Sequence, residues 1–277
     1  MFNKKRLASI LACTLIIGSL VGCNSGNNET SDKSKITVSG STSVGPTMEV
    51  LAEEYQDANE GVSIEIQQVG SSSGITNTID GISQIGMSSR DLKGEEKSKG
   101  LEEHQIAIDG IAVITNTAND VDDLTIDQIK DIYTGKITNW KEVGGKDSKI
   151  VVVSREDGSG TRDGFQEIVD FESEELTGDA LISDGSGNIK ITVQGNENAI
   201  GYISFGYLDN SINAMKIDGV EAIEKNVYDE SYPIARPFLL VTKGELAEDV
   251  KAFIDYILSE AGQKIIEEQG FMRINQK

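Results

Sequence analysis

The sequence predicts an α/β fold, and three observations carry that prediction. Short runs rich in β-branched residues alternate with stretches whose apolar residues recur every three or four positions, so strands alternate with helices. Three of the strands end in a turn of Gly, Ser and Thr that opens directly into a helix. With 277 residues and 38% hydrophobic content, the chain is long enough for two domains and has the composition of a globular protein.

The N-terminus differs from the rest. Lys4, Lys5 and Arg6 precede an uncharged, mostly apolar run over 7–21, which ends in Leu20-Val21-Gly22-Cys23. This pattern predicts a signal peptide over 1–22, too short to span a bilayer in the usual way. Residues 24–35 are polar, with Gly and Ser, and predict a flexible tether. Losing Lys4, Lys5 and Arg6, the only charged residues before Cys23, takes the formal charge from −21 to −24. So acidic a surface argues against nucleic acid and against basic-patch adhesion to membranes. It does not forbid a small anion held by local donors, because distant surface charge is screened within about 10 Å at ordinary salt.

The elements follow in order. A strand over 36–38 leads to Gly40-Ser41-Thr42-Ser43, then Pro46 and a helical face of Met48, Leu51, Ala52 and Tyr55. The alternating run 62–69 predicts a second strand. It is followed by Gly70-Ser71-Ser72-Ser73-Gly74 and a short helix through Ile75, Ile79 and Ile82. Ile85-Gly86-Met87 predicts a strand ending at Ser88-Ser89-Arg90-Asp91, and 95–99 a charged surface turn or helix. The long run 105–115 predicts a strand that crosses between domains. Thr125 starts a helix through Ile129, Ile132 and Tyr133, and the loop 135–145 holds Trp140 as a packing anchor. The strand 150–153 runs into Ser154-Arg155-Glu156-Asp157-Gly158-Ser159-Gly160-Thr161-Arg162, and Phe165, Ile168 and Val169 continue as a helix. Residues 173–187 read as polar loop, and 188–194 fit a helix or an extended segment. Strands are predicted over 199–204, 212–217 and 234–242, the last a second crossing. An apolar stripe from Val250 to Ile266 predicts a long closing helix.

Three strand–turn–helix units of this kind suit a small oxyanion. In open α/β sheets ligands sit at the carboxyl ends of strands, where helix N-termini offer free N–H groups. Ser and Thr hydroxyls supply short neutral donors, and Arg155 a forked cation. The plainer reading of 154–162 is an Asp-Gly turn capped by Ser or Thr, with Arg155 on the surface.

The motifs Gly40-Ser41-Thr42-Ser43, Gly70-Ser71-Ser72-Ser73-Gly74, Ile85-Gly86-Met87-Ser88-Ser89-Arg90 and Asp157-Gly158-Ser159-Gly160-Thr161 together resemble the phosphate-binding proteins of bacterial ABC transporters. The stretches 132–140 and 199–202 share the same texture, and the resemblance covers nearly all of 36–277. It implies a two-lobed periplasmic-binding-protein fold of type II-like form, with mixed sheets flanked by helices and two crossing strands as hinge. Lobe I would be 36–114 plus 237–277 and lobe II 115–236. It further implies that Thr42, Ser43, Ser71 and Ser89 face Arg155, Ser159, Gly160 and Thr161 across inorganic phosphate, with Asp157 holding Arg155 by an ion pair. Some members carry Asp where this chain has Ser89, so the acceptor that would tell phosphate from sulfate is Ser89, Asp91 or Asp157. Gly22-Cys23 resembles a lipobox, which implies lipid on Cys23, a tether over 23–35 and a place on the extracellular face of the cell membrane. The expected role is that of a monomer delivering phosphate to an ABC permease, with no catalysis, cofactor, metal or nucleic acid.

Two other readings compete. Another oxyanion, sulfate or molybdate, would suit the same donors. Gly70-Ser71-Ser72-Ser73-Gly74 also fits the G-x-S-x-G elbow of serine hydrolases, but that chemistry needs a neighbouring base and His104 is the only histidine. Arg236 reads as a hinge ion pair or a solvated residue, and Arg90 as a partner of a nearby acid.

Overall fold

The β-branched runs pair into a nine-stranded mixed sheet, seen in a computed structural model that describes residues 34–274. The predicted signal peptide, Cys23 and nearly all of the tether lie outside those residues. The strands are β1 (Ser34–Gly40), β2 (Val62–Gln68), β3 (Ile85–Ser88), β4 (Leu101–Thr115), β5 (Asp123–Leu124), β6 (Val151–Arg155), β7 (Leu181–Ser183), β8 (Ala199–Ser204), β9 (Asn213–Ala214), β10 (Lys216–Ile217) and β11 (Ala235–Lys243). The helices are α1 (Gly45–Ala58), α2 (Ser71–Ile79), α3 (Gly94–Lys97), α4 (Ile126–Tyr133), α5 (Gly160–Val169), α6 (Gly185–Gln194), α7 (Glu224–Tyr228), α8 (Glu248–Leu258) and α9 (Glu260–Glu268). The sheet order is β2-β1-β3-β11-β4-β8-β6-β7, with β9 on β4, and β5 pairs separately with β10.

Two large hydrophobic cores pack along this sheet, with a smaller cluster of Ile75, Leu92 and Val241. One gathers Ile36, Val38, Met48, Leu51, Phe238, Leu240, Phe253 and Ile257, and α1 packs on α8 with Tyr55 and Phe253 rings 5.1 Å apart. The other gathers Ile111–Ile114 with Ile129, Tyr133, Trp140, Phe165, Ile200 and Tyr202. Burying each such side chain stabilises by roughly 1.5–3 kcal/mol. β4 joins the two, because its first part pairs antiparallel with β11 and Ile111–Thr115 pair with β8. Trp140 anchors its loop as expected, buried and donating Nε1–H to the Asn198 carbonyl at 3.0 Å.

Several elements depart from the sequence reading. Residues 173–187, read as loop, contain β7, whose short edge pairing with β6 leaves Leu181 and Ile182 exposed and without a clear period. The undecided stretch 188–194 is the body of α6, seated by Ser186, Ile189 and Val193. The single strand read over 212–217 is two dipeptides, because β9 pairs with β4 and β10 with β5 on either side of buried Met215. The closing stripe breaks at Ser259, which ends α8 and caps α9 by accepting from Gly262 N–H. α8 buries Val250, Phe253, Ile254 and Ile257, whereas α9 buries Gly262, Gln263 and Ile266 and leaves Ala261 exposed, so the apolar stripe is interrupted at the break. Ile82 lies beyond α2 and is exposed, after the Gly81 turn.

Candidate functional site

The carboxyl ends of β1, β2, β3 and β6 meet where the two cores adjoin, and each turn sets a helix or a loop at the same place. After β1, Ser41 Oγ accepts from Ser43 and Val44 N–H at 3.2 and 3.4 Å and shapes the turn that carries Thr42 and Ser43 into α1. After β2, Gly70 takes a left-handed φ of 86° that starts α2 at Ser71. After β6, Ser159 caps α5, its Oγ accepting from Arg162 N–H at 3.3 Å. A further helix start belongs here: Ser186, at the head of α6, accepts from Arg155 Nη1 at 3.4 Å.

The predicted residues come together, and nearly all are buried. Ser43 and Thr161 share a hydroxyl contact of 2.9 Å between α1 and α5. Arg155 Nη2 donates to Thr42 Oγ1 at 2.8 Å. Ser89 accepts from Ser41 Oγ at 2.9 Å and gives its N–H to Ser71 Oγ at 3.1 Å. Gly160 lies so close that a Cβ there would overlap Ser71 Oγ and Ser89 Oγ. Ser72 N–H reaches the Gly158 carbonyl at 3.2 Å. Ser43, Ser71, Ser89, Arg155, Ser159 and Thr161 are each at most 1% exposed, while Thr42 is half-buried.

Asp157 does not hold Arg155, contrary to the sequence reading. Arg155 Nε and Nη2 each donate at 2.7 Å to the two oxygens of Glu156, a fork-on-fork pair. Asp157 stands at the exposed tip of the turn and takes Arg162 Nη1 instead. The reason is directional. Arg155 ends the strand, so the next residue leaves it and folds its carboxylate back onto the guanidinium, while Asp157 looks out toward the first turn of α5. Burial alone would raise the Glu156 carboxyl, but the hydrogen bonds and charge of Arg155, with the Gly185 N–H, bring it below the usual range.

The strand beneath the site is fixed by an aromatic stack. Phe165 lies 4.0 Å from Tyr202 with planes 10° apart. Burial pushes the Tyr202 hydroxyl up and keeps it protonated. It accepts from Arg155 N–H at 3.1 Å and contacts Ser154 Oγ at 2.8 Å. Tyr207 donates to the Thr42 carbonyl at 3.1 Å.

Other singled-out residues lie beside the site. Arg90 pairs with Glu96 and Asp163. Asp91 is exposed. Arg236 is buried against Asp109. Ser72 Oγ accepts from Arg90 Nη2 and His104 Nε2 contacts Thr242 Oγ1, so the elbow serine and the histidine have separate partners. Sequence reasoning missed Glu156, Tyr202 and Ser186. Ser186 carried a signal: Asp184-Gly185-Ser186-Gly187 repeats the Asp157-Gly158-Ser159-Gly160 pattern. Chemically, the arrangement is a buried set of neutral donors around one guanidinium, whose Nε and Nη2 already serve Glu156, and it suits a small oxyanion.

Comparison with known proteins places the chain in a family. A family model described as a PBP superfamily domain matches residues 25–261. The phosphate-binding protein PstS of Bacillus subtilis is 37% identical over 288 residues, spanning 98% of this chain and 94% of that one. PstS of Borreliella burgdorferi is 30% identical, spanning 96% and 98%. A Clostridium perfringens protein solved with bound phosphate, described as a phosphate ABC transporter substrate-binding protein, superposes with a TM-score of 0.85 at 63% identity, over 87% of this chain and all of that one. An ABC-type phosphate transport receptor from Vibrio cholerae superposes with a TM-score of 0.76 at 38% identity, over 86% and 99%. The fold is that of the periplasmic binding proteins, and the chain belongs to the PBP superfamily, in the family of the PstS phosphate-binding proteins.

Proposed function

We propose that this protein binds inorganic phosphate between two lobes and delivers it to an ABC permease for import. The observation that carries this reading is Arg155, a fully buried guanidinium set among Thr42, Ser43, Ser71, Ser89, Ser159, Gly160 and Thr161 at the heads of α1, α2 and α5. The names of the relatives point to the same ligand. Lobe I is taken as 36–114 plus 237–277 and lobe II as 115–236, hinged near 110–115 and 234–241, where β4 leaves β11 for β8. Closure of such lobes around a ligand is hinge motion.

The protein acts as a binding protein, not an enzyme. The hydrolase reading lacks its base, since Ser72 is bonded by Arg90 and His104 by Thr242. In this reading the chain is a monomer, held at the extracellular face of the cell membrane by lipid on Cys23. Titration calorimetry with phosphate, then with sulfate and molybdate as competitors, tests the ligand. Tight phosphate binding that sulfate fails to displace is expected, and preferred binding of sulfate or molybdate would overturn it. Cys23→Ser should release the protein into the medium, and unchanged membrane retention would count against the anchor.

A further inference from the structure

We propose that the buried Asp109–Arg236 ion pair is a positioning element that fixes Ser89 in the anion site by tying it to the turn after β8. The inference rests on the reading of that site as the phosphate site. Arg236 on β11 stands directly opposite Asp109 on β4. One residue further, Gly110 is the last β4 residue to pair with β11, and from Ile111 onward β4 pairs with β8. The pair therefore sits where β4 changes partners between the two cores.

Its bonds reach both ways. Asp109 Oδ2 accepts from Arg236 Nε at 3.0 Å and Nη2 at 2.8 Å. Asp109 Oδ1 accepts from Ser204 Oγ at 3.0 Å and Phe205 N–H at 3.1 Å, so both oxygens are fully used. The remaining arm of the guanidinium, Nη1, donates to the Ser89 carbonyl at 3.0 Å. Arg236 also lies over the Phe238 ring, 5.4 Å from its centroid. Phe205 is seated by Gly110, whose missing Cβ leaves room for the ring. The Ser204 turn continues through long contacts with Ser186, at 3.5 Å from Ser204 N and 3.4 Å from Arg155 Nη1. One ion pair thus stands between Ser89 on one wall and Arg155 on the other.

Stability alone is a weak reason for such a pair. Both side chains are at most 2% exposed, and buried ion pairs are often replaceable by apolar residues at no loss. What an apolar pair would not supply is a directed donor on the Ser89 carbonyl. Ser89 is held at its hydroxyl by Ser41 and at its N–H by Ser71, so the Arg236 bond completes the set that orients it.

Arg236→Lys tests the role. Lysine keeps a cation beside Asp109 but lacks the fork that serves Asp109 and Ser89 together. Phosphate affinity should fall about tenfold with the fold retained, and the same substitution should cost less in a Ser89→Ala background, where the oriented hydroxyl is gone. If Arg236→Lys fails to fold, Asp109→Asn with Arg236→Gln removes both charges and takes its place in the same cycle. Unchanged phosphate affinity, or an equal loss with and without Ser89→Ala, overturns the positioning role while the proposed function stands. A wild-type protein that binds no phosphate overturns both.

Discussion

Arg90 Nε lies 2.8 Å from Asp163 Oδ2, an ion pair that joins the loop after β3 to α5 and so links the two cores beside the anion site. Arg90 is 3% exposed and is held in place by Glu96, whose two oxygens accept from Nη1 and Nη2 at 2.8 Å each. Asp163 is the partner contributed by the other core, and Lys93 approaches it at 3.2 Å. In the proposed two-lobed reading, such a contact forms when the lobes close.

Removing that charge should therefore speed ligand release and leave the lobes themselves intact. For Asp163→Asn, we expect phosphate binding weaker by about 1 kcal/mol, about fivefold, since the acid is partly solvated and screened. Stopped-flow release should show the change in the dissociation rate, with little change in melting temperature. A wild-type release rate in the variant would rule out a latch.

Gly160 offers a steric counterpart. Its position between Ser71 Oγ and Ser89 Oγ leaves no room for a methyl group when the two cores are in contact. Gly160→Ala should lower phosphate affinity by about tenfold or more, the scale of a buried overpacking. The unliganded protein should melt no lower, because alanine is the better helix former at the head of α5. Calorimetry and a thermal melt decide it, and unchanged affinity would contradict the close approach.

What the sequence disclosed was local. The strand, turn and helix of 151–169 could be read from β-branched residues, an Asp-Gly turn and a Ser cap, all within a few positions. Thr125 announced α4 in the same way, and its Oγ1 accepts from Gln128 N–H. What stayed hidden depended on direction or register. Whether Glu156 or Asp157 faces Arg155 is decided by where β6 ends, which composition does not mark. The Arg236–Asp109 pair joins residues 127 positions apart and follows from the register of β11 on β4. α6 escaped because two of its first three residues are glycine and few positions face the core.

The Glu156 carboxyl gives the site a dependence on acid. Burial raises it, but Arg155 and the Gly185 N–H outweigh burial, so its folded value lies below its unfolded one. A group of that kind stabilises fully above the unfolded value and loses its contribution as pH falls through the folded one. Glu156→Gln should cost about 1 kcal/mol at neutral pH, given partial exposure, and the gap from wild type should close in acid. Melting curves from about pH 7 to about pH 3 follow the gap across the carboxylate range. A gap that widens in acid would reverse the sign and refute this account.

Arg155 should be the costliest single loss, and Glu156 explains how large it becomes. In Arg155→Ala the site loses its cation, and the half-buried Glu156 carboxylate is left without a counterion. Truncating one member of a buried, hydrogen-bonded charge pair costs several kcal/mol, so phosphate affinity should fall by about 100-fold or more. Part of that loss is repulsion from the stranded carboxylate. Arg155→Ala with Glu156→Gln removes the repulsion and should bind phosphate more tightly than Arg155→Ala alone, though still below wild type. Calorimetry on the two variants separates the effects. Equal affinity in both would mean that the Glu156 charge is not felt at the anion, and that Arg155 acts there by its own donors alone.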